Sequence, residues 1–462
     1  MKCNVVTPMQ GERISDMEPV ISVIMPLYNA ECFLEETLIS VSRQTFQNYE
    51  LICVIDGSED NTVNIVRKFQ QKDSRIKLFY NGKHSGAAVA RNRGVEEAVG
   101  KYLLFLDGDD IFDEELMELT FCKAEEQKAD IVMFEYKHVA SEHIHKKQVI
   151  FHSKEYRNRF CNRVLSVDNI KICEFLKWSS SPCNKLFRTE FISRHCLEFQ
   201  NIRSSNDTYF VDMAFLMAER IIILDSPKVM VYARDHFTPS RISIDRDPMC
   251  TYDAMMKMKD ELKRRGIFLA LYKVYSYNAF HCMLIGLKST KNVDRKRTFF
   301  KFLTDKGLDD LLEISENMNG VDQFLQEKKD RFMNFQSEEE WEQLDFVYEA
   351  FLEENFNEIS TMFENCKARN LKIGIWGAGG NGTRLIAFCN RYHLGIDMVL
   401  DIDKMKQGKI CGGYQIQSPK NVSALDVVIV TPTGIYPSII EMIRIYNKNA
   451  QVIDLSSFIC FN

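Results

Sequence analysis

An acidic turn directly follows a continuous apolar segment in the sequence KYLLFLDGDD, residues 101–110. Residues 102–106 are aromatic or aliphatic without a break, which is typical of a strand buried on both faces. The carboxylates that follow would repel one another, and a bound cation would remove that repulsion. Gly108 permits a tight turn, so Asp107 and Asp109 can face one ion, and hard oxygen ligands suit Mg²⁺ or Mn²⁺. The alternative is a solvated acidic turn that caps the next helix, and this motif alone does not decide between the two.

A second acidic turn follows another apolar segment. Residues 49–55 predict a strand, and Asp56, Gly57 and Ser58 come directly after it. In open α/β sheets, binding sites lie beyond the carboxyl ends of the strands. We therefore expect Asp56 and Asp107 to lie along one edge of a sheet, although Asp56-Gly57-Ser58 would form a good turn without any function.

The elements that must position these side chains are strands and helices in alternation over residues 20–110, which indicates a mostly parallel sheet with helices on both faces. Pro26 ends the first strand, and Asn29 is the expected N-cap of the first helix. Arg91 lies on the third helix, where a plain surface charge would be the usual role of an arginine. Strands are predicted at residues 20–25, 49–55, 76–80 and 102–106, and helices at 30–45, through 63–69 and at 86–98.

Length and composition limit the class of protein. The 462 residues are 45% hydrophobic and 27% charged, as in globular proteins, and the length suffices for about two to three domains. A net charge of −6 gives no basic surface for nucleic acid. Fourteen cysteines without a C-x-x-C pair indicate neither a zinc site nor a disulfide framework, so we expect a cytoplasmic protein. No apolar run would span a bilayer, and residues 1–19 are expected to be a polar tail.

Four segments together resemble the family 2 glycosyltransferases, which have the GT-A fold. In chain order they are ISVIMPLYN (21–29), VIDGSEDNT (54–62), GAAVARNRG (86–94) and FLDGDD (105–110). The resemblance covers roughly residues 20–240, and four motifs in this order are specific although each alone is not. It implies an inverting transfer of a sugar from a nucleotide-sugar, usually a UDP-sugar.

The resemblance also implies roles for individual residues. Asp107 and Asp109 would be the metal-binding D-x-D, and an ion there would stabilise the charge on the departing nucleoside diphosphate. The chain departs from the family at Ile55, where a second acidic residue often precedes the one at Asp56. The positions implied around the nucleotide are Pro26, Tyr28, Asp56, Arg91 and Asp107.

Residues 111–240 are expected to build the acceptor side of the site. By the resemblance, Asp207 takes the place of the general base, and the acidic residue that usually precedes it is Asn206 here. The alternative for either residue is an ordinary helix N-cap.

Three basic residues are further candidates for contact with the diphosphate or the acceptor. Lys185 lies in NKLFR (184–188), a pattern that recurs in the family, and the alternative is a plain surface lysine. His236 and Arg241 lie in a basic loop that resembles the family's closing segment over the diphosphate, and a structural or solvated role is their alternative.

Residues 247–365 predict long helices with few glycines or prolines. Residues 288–301 are basic with phenylalanines close by, so we expect either contact with an anionic membrane surface or a helical spacer packed on its neighbours.

The last segment, residues 366–462, predicts a small Rossmann-like domain. A strand at 371–376 runs into Gly377, Gly379 and Gly382 in G-x-G-x-x-G spacing before a helix, and Asp401 follows at the distance of an acidic ribose contact. Amides at that helix start would cradle a phosphate, so a nucleotide such as NAD(P) or a nucleotide-sugar is a candidate ligand, and a domain without ligand is the alternative.

The sequence thus predicts an α/β protein with a polar tail (1–19), a GT-A glycosyltransferase domain (20–246), a helical extension (247–365) and a Rossmann-like domain (366–462). The first hypothesis is a metal-dependent glycosyltransferase that acts on a glycan or lipid-linked acceptor in cell-surface polysaccharide synthesis, at the inner face of the membrane. The second is an NAD(P)- or nucleotide-sugar-binding enzyme or sensor that works through the last domain. A third is a non-catalytic scaffold that binds a partner through its helical middle.

Overall fold

The structure is a computed structural model that describes residues 18–140, 160–161, 163–226, 230–235, 247–314, 322–335, 344–431 and 436–455. The chain divides into two compact units, Met1–Asp322 and Gln323–Asn462. The helical middle segment contributes helices to both units. The predicted domain boundaries at residues 246 and 365 stay a prediction.

The first unit contains a seven-stranded sheet in the order β3-β2-β1-β4-β8-β6-β9 and a three-stranded sheet in the order β5-β10-β7. Strands β3, β2, β1 and β4 run parallel, and β8 pairs antiparallel with both β4 and β6. The strands are β1 (Ile21–Leu27), β2 (Tyr49–Asp56), β3 (Ile76–Asn81), β4 (Tyr102–Phe105), β5 (Ile111–Phe112), β6 (Ile131–Met133), β7 (Glu135–Ala140), β8 (Lys185–Arg188), β9 (Ile221–Ile223) and β10 (Met230–Asp235).

Helices cover this sheet and extend beyond it. Strands β2 and β4 are buried along their whole length, as their continuous apolar runs predict. The helices are α1 (Leu34–Ser42), α2 (Thr62–Gln70), α3 (Ala87–Glu97), α4 (Leu116–Gln127), α5 (Ile172–Phe175), α6 (Thr189–Arg194), α7 (Asn206–Met217), α8 (Pro248–Arg264), α9 (Phe268–Ser289), α10 (Val293–Phe302) and α11 (Leu308–Leu312), with a π-helical segment Leu303–Gly307 and a 3-10 turn Pro182–Asn184.

The first helix begins later than the sequence predicts. Helix α1 starts at Leu34, whereas the prediction places its start at Ala30 with Asn29 as the N-cap. Asn29 instead has a φ of 46°, and the amide of Ala30 donates to Thr62 Oγ1 at 2.8 Å. The prediction was wrong because bonds to the loop after β2 outweigh the local capping preference.

The helices after residue 247 confirm the predicted helical middle region. Among the described residues, none of these helices is both long and apolar enough to cross a bilayer. In the basic helix α10, Phe299 is buried, and Phe300 and Phe302 are partly buried. The aromatic side chains of α10 therefore pack against the protein, and its cations form the exposed face.

The second unit is a mostly parallel six-stranded sheet in the order β13-β14-β12-β11-β15-β16, in which only β13 and β14 pair antiparallel. This sheet confirms the predicted Rossmann-like class of the last domain. Its elements are α12 (Gln323–Met333), α13 (Phe346–Glu354), α14 (Phe356–Ala368), β11 (Ile373–Trp376), α15 (Gly380–Arg391), β12 (Met398–Leu400), β13 (Ile410–Cys411), β14 (Tyr414–Gln417), a 3-10 segment (Pro419–Ala424), β15 (Val427–Val430), α16 (Tyr436–Tyr446) and β16 (Gln451–Asp454).

Helix α15 packs against the loop after β11 so closely that only glycine fits at residue 382. A Cβ at Gly382 would overlap the carbonyl oxygen of Gly377, and a backbone atom cannot move aside without a shift of the loop. We expect Gly382→Ala to lower the free energy of unfolding of the second unit by about 2–3 kcal/mol, measured by denaturant titration. Gly395→Ala, at a position with no atom within 4 Å of the added Cβ, is the control and should change little. Equal effects of the two substitutions would contradict the close packing.

Candidate functional site

Three loops follow the carboxyl ends of β1, β2 and β4, and the first two are bonded to each other. The amide of Asn29 donates to Ser58 Oγ at 3.1 Å, and the amide of Glu59 donates to Asn29 Oδ1 at 2.9 Å. These reciprocal bonds hold the loop after β1 against the loop after β2. Pro26 is the penultimate residue of β1 and is partly buried, and Tyr28 follows it with 39% of its surface exposed.

Asp56 ends β2 and is almost fully buried. Its carboxylate accepts hydrogen bonds from the amide of Gly86 at 2.8 Å, the amide of Ser85 at 3.0 Å and Asn81 Nδ2 at 3.0 Å. Gly86 is the N-cap of α3, with a φ of 95°. Asp56 therefore fixes the start of α3 relative to β2, in addition to any contact it makes with a ligand.

His84 covers this carboxylate. Its Nδ1 lies 2.9 Å from Asp56 Oδ2, and its ring stacks on the ring of Tyr28 with the centroids 3.9 Å apart. Half of the His84 side chain remains exposed. Sequence reasoning missed this residue, because no local pattern around it indicates that it meets Tyr28.

Asp107, directly after β4, is joined to the start of α7 through Arg91. Arg91 Nη2 donates to Asp107 Oδ1 at 2.9 Å, and Arg91 Nη1 donates to Asn206 Oδ1 at 3.2 Å. The structure thus joins the consecutive elements α3 and β4 to α7, which is more than 100 residues further along the chain.

Arg91 is an internal cation and not the exposed helix charge of the alternative interpretation. Its residue surface is 6% exposed, and its guanidinium lies 5.4 Å from the ring centroid of Phe199. Burial opposes its charge, but the pKa of Arg91 is raised chiefly because the Asp107 carboxylate lies close to it. Its Nε atom is buried without a hydrogen bond. Arg91 therefore contacts its neighbours through its charge and through the hydrogen bonds of its two Nη groups.

A candidate metal group surrounds Asp107. Within the described part of the chain, one group of metal-ligating side chains is close enough to hold an ion: Asp107, Asp110 and Cys183, with ligand atoms within 4.8 Å of one another. Asp109 is outside that group. Burial, together with Asp107 and Asp110, raises the pKa of the Cys183 thiol well above its usual value, so the uncoordinated thiol is neutral. Asp107 with Asp109 as a ligand pair stays a prediction, and sequence reasoning missed Asp110 and Cys183.

Gly108 lies in a closely packed turn between these aspartates. A Cβ there would lie 2.5 Å from Leu27 Cδ2, and the Gly108 carbonyl accepts a hydrogen bond from Thr37 Oγ1 at 3.1 Å. The turn after β4 is therefore held against β1 and α1, which places Asp107 beside the other two loops.

Asp207 lies in the first turn of α7. The N-cap of α7 is Ser205, with a φ of 57° and no side-chain capping bond, so capping does not explain Asn206 or Asp207. Asn206 instead accepts from Arg91. Asp207 is partly buried, and its charge affects the pKa values of both Arg91 and Lys185. The predicted base therefore lies near the turn after β4.

Lys185 is wholly enclosed, unlike the surface lysine of the alternative interpretation. Its Nζ donates to Asn184 Oδ1 at 2.6 Å, Ser181 O at 2.6 Å and Ser179 O at 2.7 Å. Burial lowers its pKa to about 7, against the opposing effect of Asp212 and other acidic groups. All three ammonium protons are used within residues 179–185, so in this structure Lys185 holds that segment together. The other two basic candidates, His236 and Arg241, lie outside the described residues.

Asp212, one turn and a half after Asp207, anchors α7 to α9. It is fully buried and accepts from Ser180 Oγ at 2.7 Å and from Asn278 Nδ2 at 2.9 Å. Burial raises its pKa to about 6, although both hydrogen bonds and Lys185 oppose that rise. A carboxyl group whose pKa is raised on folding stabilises the folded state only while it is protonated. The contribution of Asp212 to the free energy of unfolding is therefore lost as pH rises.

This pKa predicts a pH dependence of stability. Between its ordinary value of 3.8 and about 6, ionisation of Asp212 should lower the free energy of unfolding of the first unit by up to roughly 3 kcal/mol. In denaturant titrations from pH 4 to 7, the Asp212→Asn protein should not show this loss of stability with rising pH. The control Asp168→Asn, at an exposed position, should show the same loss as the wild type. A wild-type minus Asp212→Asn difference that stays constant with pH would refute the assignment.

In the second unit, the glycine motif occupies the predicted strand–turn–helix position. Gly377 follows β11 with a φ of 106°, Gly379 is the N-cap of α15, and Gly382 packs in the first turn. Asp401 directly follows β12 and is buried. The structure places all four predicted residues around one loop.

Two family models match separate parts of the chain. A family model described as glycosyl transferase family 2 matches residues 22–194, and one described as C-methyltransferase C-terminal domain matches residues 317–453. An uncharacterized glycosyltransferase of Haemophilus influenzae is 46% identical over 100 residues, which are 22% of this chain and 40% of that protein. Glycosyltransferase GlyG of Streptococcus pneumoniae is 28% identical over 235 residues, 50% of this chain and 75% of that protein. The chain therefore spans less than half of the first relative and three quarters of the second.

A solved structure resembles this chain in fold. The crystal structure of S. aureus TarS 1-349 in complex with UDP-GlcNAc superposes with a TM-score of 0.52 and 20% sequence identity, and the match covers 73% of this chain and 92% of that one. At this identity the likeness concerns the fold alone, and it confirms the predicted GT-A class.

Proposed function

We propose that the protein is an inverting, metal-dependent glycosyltransferase, and the match of residues 22–194 to the glycosyl transferase family 2 model supports this proposal. The donor is a nucleotide-sugar, specifically a UDP-sugar, and the acceptor is a glycan or a lipid-linked acceptor in cell-surface polysaccharide synthesis. The observation that carries this proposal is the link from Asp107 through Arg91 to Asn206, because it places the predicted base Asp207 beside the acidic turn after β4.

The nucleotide lies against the loops after β1 and β2. Tyr28 offers an exposed ring at the loop after β1, and aromatic rings stack on nucleobases. Asp56 and His84 lie next to it, so polar contacts to the base edge are available there. A UDP-sugar is supported by the resemblance to the family and by the UDP-GlcNAc complex of the structural relative.

The residues at the turn after β4 fit a divalent cation. Asp107 and Asp109 are the proposed ligands, and Asp110 and Cys183 lie beside Asp107. Carboxylate oxygens are ligands that Mg²⁺ and Mn²⁺ prefer. When bound, such an ion supplies Lewis-acid stabilisation for a departing diphosphate.

Asp207 performs the proton transfer in this proposal. The acceptor hydroxyl loses its proton to the Asp207 carboxylate as its oxygen attacks the anomeric carbon. A single-step inversion needs one base and no nucleophilic side chain. Arg91 maintains the position of the α7 start through Asn206, and Asp207 lies close enough to Arg91 to help raise the pKa of that guanidinium.

We propose a cytoplasmic location with peripheral contact at the inner face of the membrane. Support comes from helix α10, on which Arg295, Arg297 and Lys301 are exposed, because clustered cations are attracted to anionic lipids. Sedimentation with phosphatidylglycerol vesicles but not with phosphatidylcholine vesicles tests this placement.

The experiment that tests the activity is a screen of nucleotide-sugars for release of nucleoside diphosphate, with Mn²⁺ or Mg²⁺ present. One UDP-sugar is expected to be turned over, and EDTA or Asp109→Ala should abolish the release. The matched control is Asp168→Asn, at an exposed position away from the proposed ligands. Wild-type turnover that persists in EDTA would reject the metal-dependent mechanism.

A further inference from the structure

Helix α7, which carries the proposed base Asp207, is bonded at its start to the helical extension that follows residue 246. Ser205 Oγ and Thr251 Oγ1 of α8 lie 3.0 Å apart, within hydrogen-bond distance. Ser204 Oγ donates to the carbonyl oxygen of Asp247 at 3.4 Å, and Asp247 is the N-cap of α8. The two residues directly before α7 are therefore both held by the start of the helical extension.

Ser205 adopts a backbone conformation that its own residue type does not favour. Its φ is 57°, in the left-handed region, where a residue with a Cβ is strained. Its side chain makes no capping bond to α7, although serine is a favoured N-cap. Because the local preferences of Ser205 do not explain the start of α7, contacts from outside the helix must fix it, and the contact with Thr251 is one of them.

Two further contacts join α7 to the helical extension. Lys257 Nζ of α8 lies 4.3 Å from the ring centroid of Tyr209, and Asn278 Nδ2 of α9 donates to Asp212 Oδ2 at 2.9 Å. Tyr209 and Asp212 are 4% and 3% exposed, so both side chains of α7 are fixed inside the protein. Ser205, Tyr209 and Asp212 have the i, i+4, i+7 spacing of one helix face. The extension therefore contacts one face of α7 over about two turns.

Arg91 holds the start of α7 from a second direction, because its Nη1 donates to Asn206 Oδ1 at 3.2 Å. Asp207 is offset from Tyr209 by about 200° around the helix axis, so it does not lie on the face that contacts the extension. A general base must lie within hydrogen-bond reach of the hydroxyl that it deprotonates, and a displacement of about 1 Å can lower a rate about a hundredfold. The contacts of the extension thus bear directly on the position of Asp207.

We propose that α8 and α9 are part of the catalytic unit and that Thr251 is a positioning residue, which holds Asp207 in place for proton transfer. This inference rests on the proposed role of Asp207 as the base. The family model ends at residue 194, before α7 begins, so the match assigns no role to these helices. The helical extension is then neither a spacer nor a separate scaffold.

The kinetic test compares Thr251→Val and Thr251→Ser with the wild type on the donor found in the nucleotide-sugar screen. Valine has the shape of threonine without its hydroxyl, so kcat should fall at least about tenfold, while the KM for donor and the affinity for UDP change less than about twofold. Serine keeps the hydroxyl and should restore kcat to within about twofold of the wild type. The matched control is Thr298→Val on α10, where the hydroxyl donates to Asp294 O in its own helix, and its kcat should equal that of the wild type.

Hydrogen exchange measures the hold on α7 independently of activity. In the protein without donor, Thr251→Val should speed amide exchange in residues 208–212 at least about fivefold, because the first turns of α7 open more often, and Thr298→Val should not. If the wild type turns over no nucleotide-sugar, the proposed function fails, and the exchange measurement still decides whether Thr251 holds α7. If Thr251→Val does not fold, Ser205→Ala replaces it, because it removes the same contact from the other partner.

Three outcomes would overturn the proposal. The first is a folded Thr251→Val protein with wild-type exchange in residues 208–212 or, in an active enzyme, with wild-type kcat. The second is a loss of kcat that Thr251→Ser does not restore or that Thr298→Val shares, because the Thr251 hydroxyl would then not be its cause. The third is a loss of UDP affinity as large as the loss of kcat, which would indicate a general disturbance of the fold.

Discussion

Replacing Asp207 with asparagine is expected to lower the rate of sugar transfer by roughly two to four orders of magnitude. The amide keeps the size of the side chain but cannot accept the proton of the acceptor hydroxyl. Because Asp207 is partly buried in the first turn of α7 and Asn206 holds that turn to Arg91, the fold should survive the change. The measurement is the turnover number and KM with the donor found in the nucleotide-sugar screen.

The pattern of the kinetic change separates a base from a structural residue. Loss of a base lowers kcat and leaves the KM for donor nearly unchanged. Glu190→Gln, in the same unit with 75% of its side chain exposed, is the control and should behave like wild type. A folded Asp207→Asn protein with wild-type kcat would assign the base to another residue.

Arg91→Met is expected to lower the free energy of unfolding of the first unit by about 3 kcal/mol and to reduce transfer at least about a hundredfold. Methionine fills a similar volume but leaves Asp107 without its 2.9 Å partner and Asn206 without its donor. The Asp107 carboxylate and the start of α7 would then lose the group that fixes their mutual geometry. Denaturant titration and steady-state kinetics measure the two effects separately.

Arg93→Met is the matched control for Arg91. It lies two residues further along α3, is 46% exposed and pairs with Glu96 and Glu97 on the same helix. Exposed pairs of this kind contribute at most about 1 kcal/mol, so Arg93→Met should be nearly neutral in stability and rate. Similar losses of stability and rate in the two variants would mean that α3 tolerates no substitution. That result would contradict a specific role for Arg91.

The sequence predicts the architecture well because apolar runs and acidic turns are local signals. The strands that end at Asp56 and near Asp107, the helix opened by Gly86 and the glycine loop before α15 all lie where periodicity and turn chemistry place them. The capping preference of Asn29 predicted the wrong helix start. The amides of residues 29 and 30 donate to Ser58 and Thr62 instead, and α1 begins four residues later than predicted.

The site could be predicted only in part because its decisive contacts are long-range. The Arg91–Asn206 bond joins residues 115 apart in the chain, and Cys183 approaches Asp107 only once β8 pairs with β4. His84 meets Tyr28 through the stacking of two loops. The spacing of Asp401 fits the ribose contact, but its inward orientation depends on the Ala378 amide, which no motif describes.

The measurement that tests the central claim most directly is calorimetric binding of UDP to the protein with and without Mn²⁺. UDP should bind more tightly with Mn²⁺, and adding Asp107→Asn should remove that increase. Equal UDP affinity with and without Mn²⁺, unchanged by Asp107→Asn, would contradict a metal-assisted nucleotide site after β4.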